Sequence, residues 1–156
     1  MHRDNLLDLL SQLVHINKEA ETGLLAAAEN VKNSELETLF SGYAKQHAKF
    51  VTELEDEIKR LDGDFSVSRT LAGTLHQGWL DLKSTLSGHS APSLLATCES
   101  GEQSAVVAYA HAAKAEPSGQ AHTVIERHWH QIEAFRTRLA RLVGETKDGV
   151  EFQDNE

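Results

Sequence analysis

Residues 34–61 read SELETLFSGYAKQHAKFVTELEDEIKRL. Leu36, Phe40, Tyr43, His47, Phe50, Leu54, Ile58 and Leu61 recur at three- and four-residue spacing and so share one stripe of an α-helix. A strand would need strict alternation instead. Ser34 and Glu37 have the spacing of a capping box, which satisfies free N–H groups in a first turn. Gly63 supplies a stop. His47 interrupts the hydrocarbon stripe near its middle, where a polar group without a partner costs about 1–3 kcal/mol.

The same period recurs on both sides of this segment. Leu6, Leu10, Leu13, Asn17, Ala20, Leu24, Ala28 and Val31 predict a helix from about residue 4 to 31. Leu71, Leu75, Trp79, Leu82 and Leu86 predict a shorter one over about 68–86, weakened by Gly73 and Gly78. Leu94, Cys98, Glu102, Ala105, Tyr109 and Ala113 predict a fourth over 91–115, with Pro92 in its first turn. Ile125, His128, Trp129, Ile132, Arg136, Leu139 and Val143 predict a fifth over 118–143, ended by Gly144. No segment carries a hairpin signal. The expected fold is all-α: two long helices, a crossover bearing an additional short helix, then two long helices, the arrangement of a ferritin-like antiparallel four-helix bundle. The bundle is assigned to 1–144, and the acidic stretch 145–156 to a disordered tail.

Each long helix places a polar residue on its apolar stripe near mid-length. They are Asn17, His47, Glu102, and His128 with Arg136. Antiparallel packing brings mid-helix positions to one level, so these residues are expected to form a central polar layer. Its plain reading is an ion-pair network in which Glu102 meets Arg136, with His47 and Asn17 completing it. The functional reading is a metal site built on Glu102, His47 and His128. A di-iron centre of carboxylate type needs a Glu from each of two helices and Glu-x-x-His from each of the other two. None of the nine histidines has a Glu three residues before it. On the last helix His122, Glu126 and His130 stand four apart and Glu133 three further on, a spacing that can chelate Zn²⁺ or Ni²⁺ and that equally describes a solvated face.

Composition narrows the classes of function. The chain has 156 residues, 40% hydrophobic and 25% charged, enough for one core. Its net charge of -9 opposes binding to nucleic acid or anionic lipid. No apolar run approaches the roughly 18–20 residues of a membrane span, so membrane insertion is not expected. A single cysteine, Cys98, allows no intrachain disulfide. It reads as a buried, inert thiol. The N-terminus enters the amphipathic pattern directly, without a signal-peptide core, and the expected location is cytoplasmic. Neither a nucleophile turn nor a phosphate loop is present.

Several stretches resemble a bacterial ferritin-like family of short, stand-alone four-helix bundles of unknown function. They are Glu35-Leu36-Glu37-Thr38-Leu39-Phe40 with Tyr43-Ala44, Phe50 and Glu53-Leu54; Leu71 to Ser84, LAGTLHQGWLDLKS; and Cys98-Glu99-Ser100-Gly101-Glu102 followed by Tyr109. The resemblance covers about Leu6 to Val143. It implies the ferritin-like fold and supplies no activity. The expected function is therefore non-enzymatic, a structural or stress-associated interaction role without cofactor. It would be exercised as a homo-oligomer, a dimer first, or with a protein partner. The alternative is an iron- or manganese-dependent ferritin-like oxidoreductase or iron-handling protein.

Overall fold

A computed structural model describes residues 3–61, 79 and 90–147. Four helices make up nearly all of them: α1, Arg3–Asn30; α2, Ser34–Arg60; α3, Ala91–Ala115; and α4, Gln120–Lys147. Among the described residues there is no strand, and no helix is long and apolar enough to cross a membrane. The expected short helix over 68–86 lies outside the described residues, apart from Trp79.

Local chemistry sets the helix ends. Asn33, in extended conformation, caps α2 by accepting from the Leu36 N–H at 3.0 Å. The cap is thus Asn33 rather than Ser34, because Asn places its acceptor one residue earlier and is at least as good a cap. Ser90 caps α3 through the Ser93 N–H, and Pro92 sits in the first turn, where its missing N–H costs nothing. Between α3 and α4 the chain turns through Gly119, whose φ of 98° suits only a residue without Cβ. At the far end α4 runs through Gly144 to Lys147 instead of stopping. A helical glycine costs about 1 kcal/mol, and Leu142 and Val143 packing on the core offset it. The stretch after 147 lies outside the described residues.

Contacts fix the topology. Asn17 meets Tyr109, and the Trp79 ring touches both Gly23 and Gly101, so α1 and α3 are antiparallel neighbours. Tyr43 stacks on Phe135 at 4.2 Å, Glu53 meets Arg127, and Glu57 meets Gln120, so α2 and α4 are antiparallel too. With α1–α2 and α3–α4 as hairpins, the directions are up, down, down, up. The connection over residues 62–89 therefore joins opposite ends of a bundle about 40 Å long.

Two apolar clusters fill the interior. One gathers Leu10, Leu13, Phe50, Leu54, Ile58 and Ile125. The other gathers Leu24, Phe40, Trp79, Leu94, Leu95 and Leu139. Each such side chain contributes about 1.5–3 kcal/mol on burial. Polar side chains from all four helices lie between the clusters.

Candidate functional site

Those side chains form one continuous chain of hydrogen bonds. It starts at Glu102 of α3, fully buried. Both carboxylate oxygens face His47 Nε2 of α2, at 2.9 and 3.0 Å. His47 Nδ1 meets Asn17 Oδ1 of α1 at 2.7 Å. Asn17 Nδ2 donates to the Leu13 carbonyl at 2.8 Å and to the Tyr109 hydroxyl at 2.7 Å. Tyr109 meets His128 Nδ1 of α4 at 2.9 Å, and His128 Nε2 meets Glu53 Oε1 of α2 at 3.0 Å. Arg127 closes the outer end with a two-pronged contact to Glu53, at 2.8 and 3.3 Å.

Donor and acceptor capacity gives this chain a direction. The Leu13 carbonyl only accepts, so the Asn17 amide nitrogen faces it and Oδ1 faces His47. His47 Nδ1 therefore carries a hydrogen. One further proton lies between His47 Nε2 and Glu102, and the buried pair is neutral as a whole. Tyr109, already accepting from Asn17, spends its own hydrogen on His128 Nδ1. His128 is left with its hydrogen on Nε2, donating to Glu53. Every member is satisfied, which is the condition for a polar network inside a core.

Ring packing holds the imidazoles in place. Phe50 stacks on His128 at 4.2 Å and turns its edge to His47. The Phe135 ring also lies across that of His47, at 5.8 Å. Burial pulls the His128 pKa down to about 4, although the Glu53 carboxylate opposes the shift. For Glu53 itself burial acts upward, but hydrogen bonds from Arg127 and His128 outweigh it and hold the carboxyl below its usual range. Burial, then the nearby Glu102 charge, pushes the Cys98 thiol well up, which leaves it unreactive.

Acid is therefore expected to loosen the bundle. Above the ordinary histidine pKa of 6.5, His128 is neutral whether folded or unfolded, and its contribution is complete. As pH falls, the unfolded chain takes up the proton first, and the contribution is lost on the way down through about 4. The shift corresponds to about 3 kcal/mol, and Glu53 adds a loss of the same sign. Urea midpoints measured across this window should fall with pH in the native sequence and fall less in His128→Gln. Midpoints that do not move would show that the imidazole is not held neutral.

The remaining residues singled out in the sequence lie elsewhere. Arg136 is not the partner of Glu102. Its guanidinium donates to Glu133 at 3.0 Å and stands 3.9 Å from Glu99, partly exposed. The reason is rotational: Phe135 holds the position of α4 that faces His47, and Arg136, the next residue, is turned about 100° from it, toward Glu99 and Glu133. His122 binds the Glu116 carbonyl at 2.6 Å and Glu126 at 2.8 Å, and these two contacts, in that order, raise its pKa. His130 lies beside Trp129 and Glu133 faces Arg136, so the His122, Glu126, His130, Glu133 set does not converge. Part of it lines an open depression with Thr123, Arg127 and Gln131.

Among the described residues the interior does not fit a di-iron centre. Glu102 and His47 are bonded to each other, and both His128 nitrogens are taken by Tyr109 and Glu53. Among the described residues no three His, Cys, Asp or Glu side chains converge as metal ligands. Neither Glu53 nor Arg127 lies on an apolar stripe, so neither stands out in the sequence as a member of this network. A Glu whose Arg partner sits on another helix carries no periodic signal.

The profile of a domain of unknown function, DUF2383, matches residues 5–115. The match spans α1 to α3, with Asn17, His47, Glu53, Glu102 and Tyr109 inside it and Arg127 and His128 beyond it. No curated protein matches the chain.

Proposed function

The chain belongs to the DUF2383 family of domains of unknown function, and from that premise we propose a ferritin-like bundle that acts without catalysis, through its surface, as a homodimer or with a protein partner. The up-down-down-up order with one long connection supports the ferritin-like assignment. The single observation that carries the non-catalytic reading is the closed hydrogen-bond chain from Glu102 to Arg127. A catalytic or metal-holding interior keeps donors or lone pairs available for substrate or ion. Here they are spent on one another, and the chain links all four helices in one register. Buried polar groups specify pairing in this way at some cost to stability.

Elemental analysis of tag-free protein, before and after anaerobic iron loading, tests this reading. The expected result is no stoichiometric metal and no uptake of iron or manganese. One or two tightly held metals per chain, lost in Glu102→Ala, would instead establish a metal-dependent ferritin-like protein, an oxidoreductase or iron handler.

A further inference from the structure

The chain has two tyrosines, and their settings differ in chemistry. Tyr43 is half-buried and stacked on Phe135. Tyr109 is fully buried, and its hydroxyl lies between one donor, Asn17 Nδ2, and one base, His128 Nδ1, at 2.7 and 2.9 Å. A purely structural tyrosine needs only some hydrogen-bond partner. This one has a neutral imidazole in direct line, and that imidazole rests on Glu53, a carboxylate reaching the surface. On the inward side the path is closed. Asn17 presents an amide nitrogen, whose lone pair is delocalised into the carbonyl, so it neither takes up a proton nor readily releases one. The hydroxyl proton of Tyr109 therefore has one base within reach, and the proton of the His47–Glu102 pair is kept apart from it.

Removing an electron from a buried phenol that keeps its proton would leave an unpaired positive charge in an apolar setting, which is costly. A base at hydrogen-bond distance removes that obstacle, since proton transfer needs heavy atoms about 2.6–3.2 Å apart. We propose that Tyr109 is a one-electron redox site that gives its electron to an outer-sphere one-electron oxidant while its hydroxyl proton passes to His128. In this step the Tyr109 O–H bond breaks and an N–H bond forms at His128 Nδ1. The electron reduces the oxidant by one unit. The products are a neutral tyrosyl radical, still receiving the Asn17 hydrogen bond, and a His128 imidazolium whose Nε2–H stays on Glu53. The Glu53 carboxylate stabilises that cation. Arg127, on the far side of the carboxylate, and then His47 oppose it more weakly. An oxidised phenol is a strong acid, so even an imidazole weakened by burial accepts its proton.

The experiment uses the full chain and photogenerated tris(bipyridine)ruthenium(III) as oxidant. In Tyr43→Phe, Tyr109 is the sole tyrosine. A tyrosyl radical is expected by transient absorption and by electron paramagnetic resonance of frozen samples. Failure to form one in that variant overturns the proposal. Adding His128→Gln keeps a hydrogen-bond acceptor but removes the base, and radical formation should slow by about a hundredfold or more; an unchanged rate overturns it. Should the double variant fail to fold, the rate in Tyr43→Phe is measured against buffer concentration. Independence is expected of an internal acceptor, and a rate proportional to buffer base assigns the proton to solvent and overturns the proposal.

Discussion

Glu102→Ala is expected to lower the free energy of unfolding by about 3–5 kcal/mol, and Glu102→Gln by only about 1 kcal/mol, both read from urea denaturation. The difference follows from the partner. His47 Nδ1 is committed as a donor to Asn17, so Nε2 must find either an acceptor or a donor at position 102. A glutamine amide can turn its N–H toward an unprotonated Nε2, and the pair stays neutral and bonded. Alanine leaves Nε2 facing a cavity, with a buried polar atom unsatisfied and volume lost. Had Arg136 been the partner, as the sequence suggests, either substitution would strand a guanidinium and the two losses would be similar. Equal losses would therefore discard the neutral-pair description.

Much of this site was legible in the sequence because a polar residue on an apolar stripe stands out against its neighbours. Asn17, His47, Glu102 and His128 were visible that way, and the structure joins them in one network through Tyr109. Arg136 met the same criterion and lies outside it. A long side chain three residues after Glu133 satisfies itself on its own helix, and an apolar stripe is wide enough to include residues at its edge. Glu53 and Arg127 had the opposite problem, being ordinary surface residues until α2 and α4 pack together. The four long helices followed from periodicity, whereas the cap at Asn33 and the run through Gly144 turned on margins of about 1 kcal/mol. The glycine notch that seats Trp79 was invisible for another reason: its two halves are 78 residues apart, at Gly23 and Gly101, and only the seated indole connects them.

Gly101→Ala is expected to cost about 2–4 kcal/mol, while Gly42→Ala, also within a helix, should be neutral or stabilising by about 1 kcal/mol. Both add a methyl group and both improve helix propensity, so propensity cannot separate them. Surroundings do. A Cβ at Gly42 would meet nothing within 4 Å. At Gly101 it would overlap Cε2, Cζ2 and Cδ2 of Trp79, and at Gly23 it would overlap the opposite edge of the same ring. The obstacle is a rigid, buried indole clasped between α1 and α3, not the tip of a flexible chain, so the ring has to leave its seat or the helices have to part. Loss of a buried tryptophan contact costs about 3–5 kcal/mol, less about 1 kcal/mol regained from helix propensity. Because the obstacle is itself a buried indole, the effect should also appear in emission. In a Trp129→Phe background, Gly101→Ala should shift Trp79 fluorescence to the red, toward that of a water-exposed indole. A variant with unchanged emission and unchanged urea midpoint would mean that the notch does not hold the ring.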